Sequence, residues 1–200
     1  MSDHYYSNKP TVDSKPMRLS FELRGHQFQF TSDSGVFSKK EVDFGSRLLI
    51  ESFQLPSVDG SILDVGCGYG PIGLSLAKEF NDRKVEMIDV NERAISLSKQ
   101  NADVNGIKNV AIYQSNLFEN VVTEDFAAIL TNPPIRAGKH VVHDILSNSH
   151  KHLKVGGELW VVIQKKQGAP SALEKLESIY SSVEVVLKKK GYYIIKSKKG

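Results

Sequence analysis

The sequence predicts an α/β domain built on a seven-stranded, mostly parallel sheet with helices on both faces. Two observations support this prediction. From Ser61 onward, strand-like segments alternate with helix-like segments over short connections, which is the pattern of a parallel sheet covered by crossover helices. Near the end, two strand-like segments are separated only by Lys188–Gly191. That gap is too short for a crossover helix, so we expect a C-terminal antiparallel hairpin.

Length and composition indicate one globular domain. The chain has 200 residues, of which 40% are hydrophobic and 24% are charged, and its net charge is +3. The polar residues 1–16 are predicted to form a flexible leader before a single domain over 17–200. No segment approaches the roughly 20 apolar residues of a membrane span, and the N-terminus lacks the apolar core of a signal peptide. With one cysteine and no internal disulfide, a cytoplasmic protein without a membrane partner is expected.

The first part of the domain, residues 17–56, is predicted to contain a β-hairpin and a helix. Apolar and polar residues alternate over 19–23 and over 28–30, and Arg24-Gly25 separates the two runs as a turn. Asp43 is a residue type that caps helix N-termini, and apolar residues follow it at helical spacing. These residues are Phe44, Leu48, Leu49 and Phe53.

The core over residues 57–200 contains the remaining predicted elements. Its strands are predicted at Ile62–Val65, Lys84–Ile88, Val110–Gln114, Ala127–Leu130, Glu158–Ile163, Val183–Leu187 and Tyr192–Lys196. Its helices are predicted at Pro71–Glu79, Glu92–Asn105, Lys139–His150 and Ala172–Tyr180. Proline suits the first turn of a helix, where its missing N–H is no loss, and Pro71 therefore supports the start of the first core helix.

A glycine-rich loop, Asp64-Val65-Gly66-Cys67-Gly68-Tyr69-Gly70, joins the first core strand to its helix. Glycines allow a sharp turn and a close approach of backbone to a ligand, and the following helix offers backbone N–H groups. The dinucleotide pattern requires its third glycine at position 71, which is Pro71, and no G-K-[ST] sequence of an ATP-binding loop follows. Cys67 has no histidine nearby in sequence and is interpreted as a small loop residue rather than a nucleophile.

A second acid, Asp89, ends the next strand about 20 residues further along, where a carboxylate can accept hydrogen bonds from ribose hydroxyls. The alternative role for Asp89 is the N-cap of the helix over Glu92–Asn105. Because the glycine loop and this acid occur together, the pair favours a nucleoside-containing cofactor.

The sequence Asn132-Pro133-Pro134-Ile135 stands at the end of the fourth core strand. Two prolines can neither continue a strand ladder nor sit inside a helix, and they stiffen a loop at the sheet edge where α/β folds bind ligands. The amide oxygen of Asn132 and rigid backbone carbonyls can accept hydrogen bonds from an amine on a ring. Such bonds favour a more pyramidal nitrogen with an available lone pair, and Ile135 offers an apolar surface to a planar base.

These motifs resemble those of class I methyltransferases that methylate amino groups, which have a Rossmann-like fold. More narrowly, the chain resembles the small-subunit (16S) ribosomal RNA guanine-N2 methyltransferases. The matching segments beyond the three motifs are Gly35–Ser38, Asp43–Ser46 and Thr131–Lys139. The likeness extends over nearly the whole chain from residue 17 onward.

The resemblance implies an S-adenosylmethionine-dependent enzyme that methylates guanine N2 in ribosomal RNA. The cofactor's methionine part would be surrounded by Asp64, Gly66, Cys67, Gly68 and Gly70. Its ribose and adenine would be held by Asp89, Val90, Asn91, Asn116 and Leu117. The target amine would be oriented by Asn132, Pro133, Pro134 and Ile135, with Asn132 also beside the cofactor. Substrate binding would involve Phe37, Arg136 and Lys139, although the last two also fit a solvated helix start.

Two features depart from the family pattern. Related sequences usually carry aspartate where Asn116 stands, and an amide oxygen can accept the same hydrogen bond. Characterised members also resemble two fused copies of the fold, one of which helps to hold the RNA, whereas this sequence contains one copy. Either a second subunit supplies that surface, as in a homodimer, or the substrate differs.

Other charged residues allow two readings. The lysine runs at 165–166, 188–190 and 196–199 are either solvated turns or phosphate contacts. His140 and His143 lie one helical turn apart but lack acidic or cysteine partners at ligand spacing, so no metal is expected.

Competing functions remain at the sequence level. The Asn132–Ile135 loop would also suit a methyltransferase that acts on adenine N6 in a nucleic acid or on a glutamine amide in a protein. A nicotinamide-dependent oxidoreductase is disfavoured by Pro71 and by the terminal hairpin. A non-catalytic RNA-binding protein is disfavoured by the intact glycines and Asn132.

Overall fold

The computed structural model describes residues 8–200. The first seven residues of the predicted leader lie outside this range. Over the described residues the α-helices are α1 (Phe44–Ser52), α2 (Pro71–Glu79), α3 (Glu92–Val104), α4 (Lys139–His152) and α5 (Ala169–Glu177). The strands are β1 (Met17–Leu23), β2 (His26–Ser32), β3 (Ile62–Val65), β4 (Val85–Asp89), β5 (Val110–Gln114), β6 (Phe126–Thr131), β7 (Leu153–Gln164), β8 (Ser182–Lys189) and β9 (Tyr192–Lys198).

The central sheet has seven strands in the order β5-β4-β3-β6-β7-β9-β8. The first five strands in this order, β5, β4, β3, β6 and β7, are parallel to one another. Strand β9 is antiparallel to both β7 and β8. Apolar side chains on one face pack against α1, α2, α3 and the β1–β2 hairpin, and those on the other face pack against α4 and α5. The predicted Rossmann-like fold with its C-terminal hairpin is therefore confirmed.

Both hairpins turn through two residues of positive φ. Arg24 and Gly25 have φ values of 50° and 75°, and Lys190 and Gly191 have values of 49° and 80°. Positive φ at both central residues matches the twist of antiparallel strands, which is why such turns close tight hairpins. The N-terminal hairpin is predicted correctly because its short alternating strands flank this turn.

Strand β7 is longer than predicted at its N-terminal end. It begins at Leu153 rather than at Glu158, and its pairing with β6 shifts register between Phe126 and Ala128. The two glycines at 156 and 157 lie within this irregularity, and Gly156 has a φ of 80°. A β-bulge tolerates such residues without ending the strand.

Residues 8–16 form no helix or strand and lie against the domain. The side chain of Ser14 and the backbone N–H of Lys15 both donate to the Asp33 carboxylate, at 2.6 Å and 2.5 Å. Arg93 donates to the carbonyl of Val12 at 3.0 Å. No helix between residues 8 and 200 is both long and apolar enough to cross a membrane.

Candidate active site

A cavity of about 700 Å³ opens at the carboxyl edge of the parallel strands. Its size lies in the range of small-molecule and cofactor sites. Four chain segments form most of its walls. They are the segment from Gly35 to Glu41, the glycine loop after β3, the end of β4 with the start of α3, and the segment Asn132–Arg136 after β6. The predicted motifs, which are far apart in sequence, thus meet in one place.

Two glycines of the loop present bare backbone to this cavity. Gly66 and Gly68 have φ values of 77° and 57°, and a Cβ atom placed on either would have no protein atom within 4 Å. The space beside them is therefore open to a ligand rather than to another side chain. Gly70 has a different role: it does not line the cavity, and a Cβ there would lie 2.8 Å from the Leu74 side chain.

Asp89 lies in the cavity wall at the end of β4. One carboxylate oxygen accepts from Gly68 N–H and the other from Asn91 N–H, both at 2.9 Å. The N-cap of α3 is Asn91, whose side chain accepts from Arg93 N–H and Ala94 N–H. The alternative role of Asp89 as that cap is therefore contradicted, and the residue lines the cavity instead. Burial raises the pKa of Asp89 to about 6 in spite of these hydrogen bonds.

The loop after β5 contributes Ser115 and Leu117 to the wall, with Asn116 outside it. Asn116 is exposed and donates to Glu119 Oε1 at 2.8 Å. The Ser115 hydroxyl donates to the Leu117 carbonyl at 2.7 Å, across a turn in which Leu117 has a φ of 51°. Sequence reasoning overlooked Ser115, because a serine directly after a strand carries no distinctive pattern.

Asp64 is fully buried behind the glycine loop and does not line the cavity. Its Oδ2 accepts from Gly73 N–H at 2.8 Å, which ties β3 to the first turn of α2, while its Oδ1 has no hydrogen-bond partner. Burial raises the pKa of Asp64 to about 7. The folded protein therefore holds a proton on this carboxyl that the unfolded chain releases at far lower pH.

We expect Asp64→Asn to change how folding stability depends on pH. Because the folded-state pKa lies above the unfolded one, Asp64 favours folding increasingly as pH falls through 7 and least at pH 8. An amide carries no charge, so the free energy of unfolding of Asp64→Asn relative to wild type should rise by about 1 kcal/mol from pH 6 to pH 8. Urea unfolding at the two pH values measures this difference. A constant difference would show that Asp64 is ionised throughout.

Asn132 stands at the end of β6 with one side of its amide tied to the protein. Its Nδ2 donates to Asp43 Oδ2 at 3.1 Å and to Ser46 Oγ at 3.0 Å. No donor among residues 8–200 bonds its Oδ1. Asp43 Oδ2 also accepts from Ser46 N–H and caps α1. The start of α1 therefore sets the orientation of the Asn132 amide, and its acceptor oxygen is available to the cavity.

The sequence predicts that Asn132 orients the target amine of a methyl transfer. Removing the Asp43 carboxylate, which holds the Asn132 amide, is therefore expected to lower the turnover of that reaction. We expect Asp43→Ala to reduce kcat about 10- to 100-fold, because a small misplacement of a reacting group is costly. Ser46→Ala, which keeps the helix cap, should cost only a few-fold. Asp43→Asn retains an acceptor oxygen for both the helix cap and the Asn132 amide and should recover most of the turnover. Wild-type kcat in Asp43→Ala would contradict this role, and methyl-transfer assays at saturating cofactor measure it.

The segment from Gly35 to Glu41 forms the wall opposite the sheet edge. Asn91 donates to the Gly35 carbonyl at 2.9 Å, and the Tyr69 hydroxyl donates to the Glu41 carbonyl at 3.2 Å. The segment is therefore tied to the start of α3 and to the glycine loop. Phe37 lines the cavity and is 40% exposed, as expected for a residue at its opening.

Most of the remaining residues predicted for the site line the cavity, and one lies outside it. Cys67, Val90, Pro133, Pro134, Ile135 and Arg136 line the cavity, whereas Lys139 lies outside it at the start of α4. Burial raises the pKa of the Cys67 thiol, which disfavours a thiolate nucleophile. Sequence reasoning also missed wall residues that follow no motif and reach the site through the pairing of β7 with β9 and the turn after β7, among them Gln164, Gln167 and Tyr192.

The histidines of α4 are engaged locally. His140 Nδ1 lies 3.1 Å from Asp144 Oδ2, and His143 Nε2 lies 3.0 Å from Ser171 Oγ. Within the described part of the chain, no group of three or more histidine, cysteine, aspartate or glutamate side chains is placed to hold a metal ion.

The fold and these motifs match a known family. The model of the family described as methyltransferase small domain matches residues 27–196. The chain belongs to this family. The predicted resemblance to class I methyltransferases and the prediction of S-adenosylmethionine as cofactor are thereby confirmed.

Three comparisons show the range of similarity. Uncharacterized protein YbxB of Bacillus subtilis (strain 168) is 70% identical over 200 residues, which is 100% of both chains. Ribosomal RNA small subunit methyltransferase C of Vibrio vulnificus is 32% identical over 160 residues, covering 78% of this chain and 46% of the relative. The structure of the Thermus thermophilus 16S rRNA N2 methyltransferase RsmC, in complex with AdoMet and guanosine, has a TM-score of 0.83 and 25% identity. It covers 96% of this chain and 52% of that chain. The chain thus spans about half the length of these two methyltransferases.

Proposed function

We propose that this methyltransferase acts on ribosomal RNA and methylates the exocyclic amine of a base, with guanine N2 of the small-subunit RNA as the first candidate. The observation that carries the proposal is the orientation of Asn132. Its amide nitrogen is held by Asp43 and Ser46, which leaves its oxygen as an acceptor beside a cavity that also contains Asp89 and the bare glycine backbone. An acceptor at this place suits an amine rather than an oxyanion.

The cavity fits S-adenosylmethionine on features of this chain. Open space lies beside Gly66 and Gly68, where the backbone can approach the methionine part. The Asp89 carboxylate accepts from Gly68 N–H and Asn91 N–H and lines the cavity, and a carboxylate has about four acceptor sites, so it suits the hydroxyls of a ribose. Leu117, Val90 and Ala94 offer apolar surface for a planar ring. When bound, this cofactor supplies a methyl group already activated by a sulfonium sulfur.

The protein then has to align the amine and make its lone pair available. In this proposal Asn132 Oδ1 accepts one hydrogen of the amine, and the carbonyl of Pro133, a residue of the cavity wall, accepts the other. The Pro134 carbonyl is already used by Ala137 N–H at 2.9 Å. Acceptors held in fixed positions cost no reorganisation during reaction, and alignment of the reacting atoms supplies the main rate advantage. The amine becomes acidic only after it is methylated, so no strong base is needed in the loop.

A base in a duplex cannot reach this cavity while stacked. Pro133 and Pro134 are buried, Asn132 and Ile135 are half-buried, and Arg136 is the exposed residue of the same segment. The target nucleotide must therefore be unpaired or leave the stack. Phe37 at the opening and Ile135 within it present apolar surfaces to the two faces of such a base.

Calorimetric titration with S-adenosylmethionine, with NAD as control, tests the cofactor. Transfer of a labelled methyl group to 16S ribosomal RNA, to the assembled small subunit and to the large-subunit RNA tests the substrate. Nucleoside digestion of labelled RNA identifies the product. N2-methylguanosine as the product supports the proposal. N6-methyladenosine would show that the target base is adenine. Label found only in protein would show that the substrate is a glutamine side chain rather than RNA. Failure to bind S-adenosylmethionine would contradict the proposal as a whole.

A further inference from the structure

Lysines from three separate segments surround the opening of the cavity. They come from the wall segment near Phe37, from the turn after β7, and from the tip of the β8–β9 hairpin. We call this group the lysine rim: Lys39, Lys40, Lys165, Lys166, Lys188, Lys189 and Lys190.

Strand pairing brings the last two segments together. Tyr192 at the start of β9 pairs with Gln164 at the end of β7, and Lys165 N–H donates to the Gly191 carbonyl at 2.8 Å. The hairpin tip therefore lies beside the turn that carries Lys165 and Lys166. Since Gln164 and Tyr192 both line the cavity, the joined lysine segments stand directly at its edge.

Contacts with α1 place the hairpin tip against the catalytic end of the cavity. The Lys190 ammonium lies 5.0 Å from the centre of the Phe44 ring, and the Tyr192 ring lies 5.5 Å from the same ring. Phe44 follows Asp43, which holds Asn132. On the other side of the opening, Lys39 and Lys40 are themselves part of the cavity wall.

The rim lysines are exposed and carry uncompensated charge. All seven are exposed to solvent, and none forms an ion pair with a carboxylate among residues 8–200. Basic residues elsewhere do so, for example Lys84 with Glu86 at 3.2 Å and Lys196 with Glu184 at 2.9 Å. The net charge of the whole chain is only +3. A positive surface is therefore concentrated at the opening, where Glu41 is the acidic side chain of the wall segment.

We propose that the lysine rim binds the phosphate backbone of the RNA on either side of the target nucleotide. The proposal rests on the function proposed above and adds the surface that holds the substrate. Exposed lysines bind phosphates through charge and release condensed counterions, so such binding is salt-dependent and largely independent of sequence. A flipped base enters between Lys39–Lys40 and the hairpin tip, while the flanking phosphates contact the rim. A single copy of the chain thereby has an RNA surface of its own.

The test replaces four rim lysines that are not part of the cavity wall, in the variant Lys165→Gln, Lys166→Gln, Lys188→Gln and Lys189→Gln. The matched control removes the same charge from exposed lysines on helices and a loop directed away from the opening: Lys78→Gln, Lys99→Gln, Lys108→Gln and Lys151→Gln. Calorimetry with S-adenosylmethionine verifies that both proteins are folded and competent, and both should bind it with wild-type affinity.

Fluorescence anisotropy with a labelled 20-nucleotide single-stranded RNA measures binding at several salt concentrations. We expect the rim variant to bind at least 10-fold more weakly at low salt. We also expect its slope of log affinity against log salt to be smaller in magnitude by about 2 to 3, at roughly 0.7 for each lost phosphate contact. The control variant should match wild type. In methyl transfer to 16S ribosomal RNA, the rim variant should show a raised KM with kcat within a few-fold.

Equal RNA affinity and slope in the rim variant and wild type would overturn the proposal. An equal loss in both variants would overturn it as well, since charge in general would then be responsible. These results are independent of catalysis. If wild-type protein binds S-adenosylmethionine but methylates no RNA, the proposed function fails instead, and the binding comparison still decides whether the rim holds RNA.

Discussion

Asn132→Ala is expected to remove most methyl transfer while the affinity for S-adenosylmethionine stays within a few-fold of wild type. The substitution deletes the acceptor oxygen that the Asp43 and Ser46 contacts leave free beside the cavity. Removing one preorganised group that stabilises a transition state costs about 100- to 1000-fold in kcat. Single-turnover methyl transfer at saturating cofactor measures the loss, and calorimetry measures the affinity.

Asn132→Asp serves as the companion variant. It keeps an acceptor oxygen but places a carboxylate next to that of Asp43, so repulsion should displace it and activity should be reduced as well. Comparable losses of turnover and of cofactor affinity in Asn132→Ala would show that this residue acts mainly as a cofactor ligand. Unaltered turnover would remove the residue from the mechanism.

Asp89→Ala is expected to weaken S-adenosylmethionine binding by about 100-fold. Hydrogen bonds to a charged group contribute about 1.5–3 kcal/mol each, and a loss of 2.7 kcal/mol corresponds to about 100-fold in Kd. The position of Asp89 in the cavity wall supports this role. Turnover at saturating cofactor should change less than affinity, because in this assignment the carboxylate would hold the ribose and not the reacting atoms. Calorimetry and the cofactor dependence of methyl transfer provide the two measurements.

Asp89 also accepts bonds from Gly68 and Asn91, so its loss can loosen the loop itself. Asp89→Asn separates the two effects, since its amide oxygen retains one acceptor while the charge disappears. We expect an affinity between those of wild type and Asp89→Ala, with thermal stability near wild type. If Asp89→Ala binds the cofactor as tightly as wild type, its assignment to the ribose is wrong.

The core strands and the motifs at their ends could be predicted because they depend on local patterns. The apolar run of β3 leads directly into the glycine loop, and positive φ at Gly66 and Gly68 favours that residue type. Asp89 is the last residue of β4, and Asn132 comes directly after β6. The parallel sheet therefore brings both to one edge. The start of β7 was predicted too late, because the strand continues towards its N-terminal end through a register shift in its pairing with β6.

Local sequence patterns were enough to predict the fold class, the glycine loop, and the acid and amide at the carboxyl edge. Which neighbouring groups act with them depends on contacts between distant parts of the chain. The bond from Asn132 to Asp43 joins residues 89 positions apart, and the contact of Lys165 with Gly191 depends on an antiparallel pairing. After a strand ends, backbone direction changes with each residue, so Ser115 faces the cavity and Asn116 does not. Local patterns fix periodicity along the chain, whereas the orientation of a side chain in a loop depends on packing between distant segments.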